Sequence, residues 1–319
     1  MKVTKKEIIA AFEKYNLEEA KSIKIIPGGM VNYNYEIKSV KGVFVLRVMG
    51  KKVSKTQLNF EFKLLESLHK KKFPYKIPLP IKNKKGNYLT KISNHKCWIY
   101  EKIEGNQIKE YDNKNLKEII KALATYHKYV KKLKIKNNQK IESLESLSRK
   151  YSIMRKIVPK NKKDKIMLEN IGLFLEFFEI LKDIKFNSNV LPVHFDFHKD
   201  NLLFNKNQLG GILDFERSFN APRILDIAHI IKCSYFSGEK KFMKRANFII
   251  NEYCNINPLT KKERQLILPI LAKDNLWMFE KFYHSRDDCK AGEKGCIDCL
   301  NWIIDVQKNV LRELKKLND

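Results

Sequence analysis

The stretch of sequence that decides the fold reads VHFDFHKDN over residues 193–201 and GILDFE over residues 211–216. In the first segment Asp196 is followed five residues later by Asn201, and the second segment ends in a further acidic pair that begins with Asp214. Acids and amides at the ends of apolar segments indicate a site rather than a core, because burying such groups without partners is costly.

The residues between these two segments predict a β-hairpin. Residues 202–204 and 211–213 are apolar, and residues 205–208 have the polar composition of a turn. A hairpin places Asn201 at the start of one strand and Asp214 at the end of its partner, so the two side chains can converge on one metal ion. Mg²⁺ prefers a few hard oxygen ligands together with phosphate oxygens and water, and an amide and a carboxylate supply such ligands.

These side chains are the ones that phosphoryl transfer from ATP to a hydroxyl requires. Asn201 and Asp214 would hold Mg²⁺ on the phosphates, and Asp196, which the loop separates from them, would accept the hydroxyl proton. Two other interpretations stay open from the residues alone. His194, Asp196 and His198 alternate along an extended segment and could form a transition-metal triad, or all these polar residues could be structural.

The length and composition indicate a folded protein of two lobes. The chain has 319 residues, of which 43% are hydrophobic and 11% aromatic, enough for a sizeable core. No window approaches the roughly 18 uncharged apolar residues of a membrane helix, and residues 1–20 predict an amphipathic helix rather than a signal peptide. We therefore expect a cytoplasmic protein with no membrane partner.

The net charge of +28 raises the possibility of nucleic-acid binding. Most of the basic residues are Lys and are spread along the chain, whereas base and phosphate recognition favours Arg. No helix-turn-helix, RNA-recognition or zinc-finger pattern is present in the sequence. We expect no nucleic-acid partner, and the charge can instead attract anionic ligands such as ATP.

The cysteines offer one possible metal cluster near the end of the chain. His284, Cys289, Cys296 and Cys299 could supply four zinc ligands, but their spacing matches no standard site. Reduced thiols are the expected state in a chain without a secretory signal. A metal there remains an alternative to ordinary thiols.

The first hundred residues predict an antiparallel sheet with one long helix. The strand signals lie at residues 23–26, 32–37, 43–48, 87–92 and 96–100, and a helical period lies at residues 57–68. Between the first two strands, Gly28 and Gly29 would let backbone amides close over phosphates, although most such glycine pairs are plain turns.

One basic and one acidic residue could position the phosphates in this first lobe. Arg47 is the only charge within the apolar strand 43–48, and Glu61 lies beside the apolar face of the following helix. A basic residue on the third strand held by a carboxylate of the next helix orients the phosphates in kinases. We predict this pair, with two surface charges as the alternative.

The strand pattern stops at residues 101–105, which we predict to be a hinge. This hinge divides the chain into a predicted nucleotide-binding lobe at residues 1–100 and a predicted catalytic and substrate lobe at residues 106–319. In a two-lobed kinase the backbone of such a hinge, here at Glu101 and Ile103, contacts adenine. Residues 131–166 are rich in Lys, Asn and Ser and predict a mobile segment between helices.

Together these motifs resemble the aminoglycoside phosphotransferase/choline kinase-like superfamily of small-molecule kinases. The resemblance rests on HxDxHxxN at residues 194–201, ILDFE at residues 212–216 and DIA at residues 226–228. Upstream, Gly29, Asn32 and Asn34 with the following tyrosine are similar to the nucleotide loop of the homoserine kinase branch. The resemblance extends over roughly residues 20–230.

The resemblance implies an α+β, bilobal protein-kinase-like fold, with an antiparallel sheet and a helix in the first lobe and a mostly helical second lobe. It implies that Asp196 is the catalytic base and that Asn201 and Asp214 bind Mg²⁺. His194 would support the catalytic loop, with His198 beside the base, and Asp226 would bind the loop backbone.

Two departures from the pattern are informative. Arg47 stands where many members carry Lys, and Glu216 stands where protein kinases carry glycine, as it does in choline kinase-like members. Only eleven residues separate Asp214 from Asp226, without an Ala-Pro-Glu signature. This leaves no room for a phosphorylated activation loop and argues against a protein kinase.

The acceptor would be a small molecule with a hydroxyl. In this family the last helices shape the acceptor pocket, and Asp274 and Trp277 recur on one face of the helix predicted at residues 261–288. An acid beside Trp suits an ammonium group, although a core Trp277 and a solvated Asp274 explain the pattern equally.

The sequence therefore favours a homoserine- or choline-like amino alcohol as the acceptor of phosphate from ATP. The alternatives are an aminoglycoside or sugar kinase, or a catalytically silent nucleic-acid- or partner-binding protein on a kinase scaffold. The complete set of Asp196, Asn201 and Asp214 argues against the silent form.

Overall fold

The computed structural model describes residues 3–27, 32–50, 54–136, 141–186, 188–235, 241–284 and 292–316. The chain forms two compact units. The first contains Met1–Glu110, Lys134–Asn137 and Lys199–Arg217, and the second contains Tyr111–Leu133, Asn138–His198 and Ser218–Asp319.

The first unit is built on the predicted antiparallel sheet. Its strands are β1 (Ser22–Ile26), β2 (Tyr33–Ser39), β3 (Gly42–Val48), β4 (Thr90–Ile92) and β5 (His95–Glu101), in the order β1-β2-β3-β5-β4. Every neighbouring pair is antiparallel. The sheet is accompanied by two helices, α1 (Lys5–Phe12) and α2 (Lys55–Lys70).

Alternation along β3 divides the core of this unit between the two faces of the sheet. Leu46 belongs to the apolar cluster that includes Phe12 of α1. Val45 belongs to a second cluster with Phe62 of α2. Since side chains two residues apart share a face of a strand, Arg47 lies on the α2 side of the sheet.

The predicted hairpin is present and belongs to the first unit. Its strands are β7 (Leu202–Asn205) and β8 (Gln208–Ile212). Asn106 exchanges two backbone hydrogen bonds of 2.8 Å with Phe204. The Lys76 amide donates to the Gly210 carbonyl, and the Lys76 carbonyl accepts from the amide of Ile212, the last residue of β8. The predicted lobe boundaries assign this hairpin to the second lobe. Those boundaries stay a prediction, and the hairpin's contacts described here are with the first unit.

Two glycines allow the predicted hinge to pass close to the hairpin. A Cβ on Gly211 would lie 2.6 Å from Cγ2 of Ile103, a separation that real side chains do not adopt. Gly105 has a φ of 141°, and a Cβ there would lie 3.0 Å from Cβ of Leu203. Both positions therefore need glycine, one for space and one for its backbone conformation as well.

The second unit is mostly helical. It contains one two-stranded sheet, in which β6 (Val190–Val193) pairs antiparallel with β9 (Phe219–Pro222). Its helices are α3 (Asn113–Val130), α4 (Leu144–Met154), α5 (Lys162–Leu181), α6 (Ile224–Ser234), α7 (Phe242–Cys254), α8 (Lys261–Tyr283) and α9 (Gly292–Lys315). Among the described residues, none of the helices in either unit is long and apolar enough to cross a membrane.

Helix α4 lies within residues 131–166, the segment predicted to be mobile, and the sequence did not predict this helix. Ser143 caps the helix by accepting a hydrogen bond from the Ser146 amide. Leu147 and Tyr151 are fully buried, and the Tyr151 hydroxyl donates to the Leu276 carbonyl at 2.9 Å. The polar composition of the segment hides a short apolar face, because only a few residues per turn of a surface helix face the core.

A buried ion pair fixes the start of α6, the helix that carries Asp226. Nε and Nη2 of Arg223 each donate to a different carboxylate oxygen of Glu263 at 2.8 Å. Burial opposes ionisation of Glu263, but its hydrogen bonds from Arg223, Thr260 and Ser188 lower its pKa to about 2. The charge of Glu263 is therefore part of the folded state.

We predict that Glu263→Gln lowers the free energy of unfolding by about 3 kcal/mol at pH 7, because it leaves a buried guanidinium without its counter-charge. The folded-state pKa is depressed, so this contribution is present above the ordinary pKa of 4.5 and is lost as the pH falls towards 2. Urea denaturation from pH 7 to pH 3, with the exposed Glu293→Gln as control, measures it. A difference from wild type that does not shrink on acidification contradicts the prediction.

Candidate active site

Arg47 is the centre of a cluster of acids in the first unit. Its Nη2 lies 2.7 Å from Oδ1 of Asp214 and 2.7 Å from Oε2 of Glu216. Glu216 also accepts a hydrogen bond of 2.5 Å from Nδ2 of Asn32. Burial opposes the charge on Arg47, but the three acids Asp214, Glu61 and Glu216 outweigh it and raise its pKa.

The predicted ion pair between Arg47 and Glu61 is not formed. In the part of the chain that the structure describes, the ion pairs of Arg47 are with Asp214 and Glu216. Glu61 is only 1% exposed, and its Oε1 has no hydrogen-bond partner among the described residues. Burial raises its pKa to about 8, and the nearby Arg47 only partly offsets this. The Arg47 guanidinium contacts Asp214 and Glu216, which follow the hairpin, and not Glu61 of α2.

This cluster suits a divalent cation with a nucleotide. Asp214, Glu216 and Glu61 place three acids around one guanidinium, so the group has capacity for further positive charge. Within the described part of the chain, Nε of Arg47, Oδ1 of Asn34 and Oε1 of Glu61 are buried without a hydrogen-bond partner. Unpaired buried polar atoms are expected where a ligand completes the hydrogen bonds.

The two predicted metal ligands lie at the ends of the hairpin, as expected. Asn201 precedes β7, and its carbonyl accepts a hydrogen bond of 2.8 Å from the Leu213 amide. Asp214 follows β8 with a left-handed φ of 62° and a side chain 35% exposed. Asp214 is thus held in an unusual backbone conformation and remains accessible.

The other predicted nucleotide residues are placed as follows. Glu101 is exposed at the end of β5, and Ile103 is half-buried against Gly211. Gly28 and Gly29 lie outside the described residues. The roles of all these residues stay predictions.

In the second unit, the carboxylate of Asp226 binds the backbone of the loop that carries the predicted base, Asp196. It accepts hydrogen bonds from the amides of His194 at 2.9 Å and Phe195 at 2.8 Å. Nε2 of His127 lies 3.0 Å from the same carboxylate, and Nδ1 of His127 lies 2.8 Å from the Tyr253 hydroxyl. Phe195 has a left-handed φ of 60°. A bulky residue adopts this conformation only where its surroundings impose it.

Two histidines support Asp196 within this loop. Nδ1 of the buried His194 accepts a hydrogen bond of 3.3 Å from the Asp196 amide. Nε2 of His198 lies 3.5 Å from Oδ1 of Asp196, whose side chain is 16% exposed. The Asp196 carboxylate is therefore accessible and has a potential proton partner beside it.

The alternative of a transition-metal triad at His194, Asp196 and His198 is wrong. Among the described residues, no three His, Cys, Asp or Glu side chains are arranged to hold a metal. The reason is that His194 turns its Nδ1 to the loop backbone, so the three groups do not converge. The cysteine cluster is not tested, because Cys289 lies outside the described residues.

A cavity of about 160 Å³ lies in the second unit beside Phe195. Asp274 and Trp277, the face predicted on α8, both line it, and so does Lys281 of the same helix. The rings of Phe195 and Trp277 have centroids 5.8 Å apart. Asp274 is not the solvated acid of the alternative interpretation, because it is 7% exposed and forms an ion pair with the fully buried Lys232.

Several residues of these sites were not predicted. Nε2 of Gln57 donates to the Glu216 carbonyl at 2.7 Å, and Lys232 and Lys273 are two further residues that the sequence did not indicate. Their partners lie far along the chain or on other helices, and hydrophobic periodicity in one sequence carries no signal for such pairs.

Comparison with known proteins identifies the family. A model of the phosphotransferase enzyme family, APH, matches residues 22–248. The chain belongs to the phosphotransferase enzyme family. This confirms the predicted resemblance and makes the protein a small-molecule kinase.

Individual members of the phosphotransferase family are similar to the chain over most of its length. A protein named homoserine kinase from Sinorhizobium medicae (strain WSM419) is 24% identical over 283 residues, which are 87% of this chain and 83% of that protein. A microcompartment-associated aminopropanol kinase has a TM-score of 0.71 at 11% identity and covers 97% of each chain. The amicoumacin kinase hAmiN, in complex with AMP-PNP, Ca²⁺ and Ami, has a TM-score of 0.70 at 14% identity, with 96% and 93% covered. The structural likeness confirms the predicted fold class.

We predict that Glu61→Gln removes a pH dependence of stability. An acid whose folded pKa is raised from 4.5 to about 8 keeps a proton that the unfolded chain releases, so stability falls as the pH rises between these values. One such proton gives a slope of up to about 1.4 kcal/mol per pH unit. Urea denaturation at pH 5 to 8.5 measures the slope, with the exposed Glu110→Gln as control. Parallel curves for wild type and Glu61→Gln would show that Glu61 ionises normally.

We also predict that Asp226→Asn lowers kcat by about 5- to 150-fold while nucleotide affinity is retained. The amide cannot accept from both backbone N–H groups without presenting its own donors, so one donor is left unpaired at a cost of about 1–3 kcal/mol. Turnover and nucleotide titration separate the two effects, with the exposed Asp298→Asn as control. Loss of nucleotide affinity equal to the loss of kcat means that the variant has simply unfolded.

Proposed function

We propose that the protein transfers the γ-phosphate of ATP, with Mg²⁺, to the hydroxyl of a small amino alcohol, with homoserine- and choline-like acceptors favoured. The observation that carries this proposal is the acid-rich cluster around Arg47, with Asp214 accessible beside the hairpin. Three buried polar atoms of the cluster have no partner in the part of the chain that the structure describes. The relatives named homoserine kinase and the neighbour named aminopropanol kinase support an amino alcohol. The AMP-PNP complex of hAmiN supports a nucleotide donor.

Asp196 is proposed as the base. Its partly accessible carboxylate would orient the acceptor hydroxyl and accept its proton, with His198 beside it to stabilise the charge. His194 and Asp226 act on this step only by holding the loop. The backbone at Phe195 is fixed by Asp226, so the base is positioned before the acceptor binds.

Asn201 and Asp214 are the residues that would hold Mg²⁺, and the bound ion would neutralise charge on the β- and γ-phosphates. Arg47 would bind phosphate oxygens through the guanidinium, as the basic residue of the third strand does in kinases. For this, Nη2 must give up at least one of the acids that it now contacts. Glu61, whose pKa burial raises to about 8, would become its counter-charge by releasing its proton.

The size of the cavity favours a small acceptor over an aminoglycoside. Sites for drug-sized ligands occupy roughly 300–1,000 Å³, whereas the cavity beside Phe195 has about 160 Å³. An amino alcohol fits this volume better than a molecule built from several sugar rings.

The test is ADP release with a panel of homoserine, choline, ethanolamine, methylthioribose and an aminoglycoside. We expect turnover with an amino alcohol and a fall in kcat of about 10²–10⁴ in Asp196→Ala, the range for loss of a general base. The exposed Asp298→Ala is the matched control. Omitting Mg²⁺, or introducing Asp214→Asn, should also abolish turnover.

No ADP release with any acceptor, together with no Mg·ATP-dependent thermal shift, would overturn the proposal. Nucleic-acid binding that persists at high salt would instead support the silent binding protein, because purely electrostatic binding weakens steeply with salt.

A further inference from the structure

The cavity beside Phe195 carries an uneven distribution of charge. Four charged side chains line it, two acids and two lysines: Glu142, Lys273, Asp274 and Lys281. Much of the remaining lining is apolar and includes Phe195, the residue before Asp196. A ligand in this cavity would therefore lie against the catalytic loop, in surroundings where unpaired charges are costly.

Both acids of the lining are already paired with lysines that do not line the cavity. Nζ of Lys150 lies 2.7 Å from Oε1 of Glu142, and the Ser146 hydroxyl donates to the same oxygen at 2.7 Å. Asp274 forms its ion pair with Lys232, whose side chain is fully buried. The negative charge that these acids present to a ligand is thus largely balanced within the protein.

The lysines of the lining differ from each other. Nζ of Lys281 lies 3.4 Å from Oε2 of Glu280. Lys273, in contrast, has no ion pair with any carboxylate of the described residues, and its Nζ lies 4.9 Å from the centroid of the Phe186 ring. Lys273 is half-buried, and this burial lowers its pKa. Of the four charges, it is the one without a compensating ion pair in the part of the chain that the structure describes.

We propose that Lys273 binds the carboxylate of the acceptor, so that the substrate is a hydroxylated amino acid and not an amino alcohol that lacks a carboxylate. This inference rests on the proposed function and names its substrate class. A zwitterion brings the anion that Lys273 lacks, and it adds no net charge to the lining. A choline-like cation would add positive charge to a lining that already has an unbalanced one.

The sharpest test compares two acceptors that differ only in the carboxylate. L-Homoserine and 3-amino-1-propanol share the reacting hydroxyl, the chain length and the amine. We expect wild type to favour L-homoserine in kcat/KM, and Lys273→Gln to lower the ratio of the two kcat/KM values by about 10- to 100-fold, the effect of losing one charge-assisted hydrogen bond. The loss should lie mainly in KM for L-homoserine. Lys262→Gln, an exposed lysine of the same helix, should leave the ratio unchanged.

Binding gives a readout that does not need turnover. L-Homoserine is titrated calorimetrically into Asp196→Ala and into Asp196→Ala/Lys273→Gln, with 3-amino-1-propanol in parallel. Weaker L-homoserine binding in the double variant supports the assignment even if no phosphate is transferred, in which case the proposed function alone fails. A wild type that uses 3-amino-1-propanol as well as L-homoserine, or a Lys273→Gln variant with an unchanged ratio, overturns the assignment while leaving the kinase activity standing.

Discussion

A single buried guanidinium organises the first unit. Arg47 lies on β3, the acids that it binds follow the hairpin, and the buried Glu61 comes from α2. A charge in this position is tolerated only because acids surround it, and removing one partner of such a pair leaves an uncompensated buried charge that costs about 3–5 kcal/mol. The same requirement explains why the hairpin, although it follows the catalytic loop in sequence, packs with the first unit.

The second unit also contains a buried charged side chain, but this one is an acid, Asp226. Asp226 is a fully buried carboxylate, and its partners are two backbone amides and His127. Hydrogen bonds to an ionised acceptor are among the stronger ones in proteins, and here they hold Phe195 in a left-handed conformation that a phenylalanine rarely adopts. Arg47 in the first unit therefore binds acidic side chains, whereas Asp226 in the second unit binds backbone amides of the loop.

The sequence predicted the features that depend on local pattern. The five strands, α2 and the hairpin follow from alternation, helical period and turn residues, and HxDxHxxN located the loop. Pattern did not reveal α4, whose apolar face is short, or β9, which exists through its pairing with β6. The predicted partner of Arg47 was wrong for a related reason. Glu61 is near Arg47 in sequence, but Arg47 contacts Asp214 and Glu216, which follow the hairpin. When several acids could pair with one guanidinium, the folded geometry determines which of them do.

In the cavity beside Phe195, the folded structure changes the interpretation of Asp274 and Trp277. From sequence, Asp274 beside Trp277 looks like a site for a cationic acceptor. In the structure Lys232 neutralises that acid from within the core. Glu142 is paired with the partly exposed Lys150, which also contacts Glu280. Charges that a protein has already balanced contribute little to choosing a ligand, because a ligand must displace or share their partners. Selection then falls to the charge that the protein leaves unbalanced, and in this lining that charge is positive.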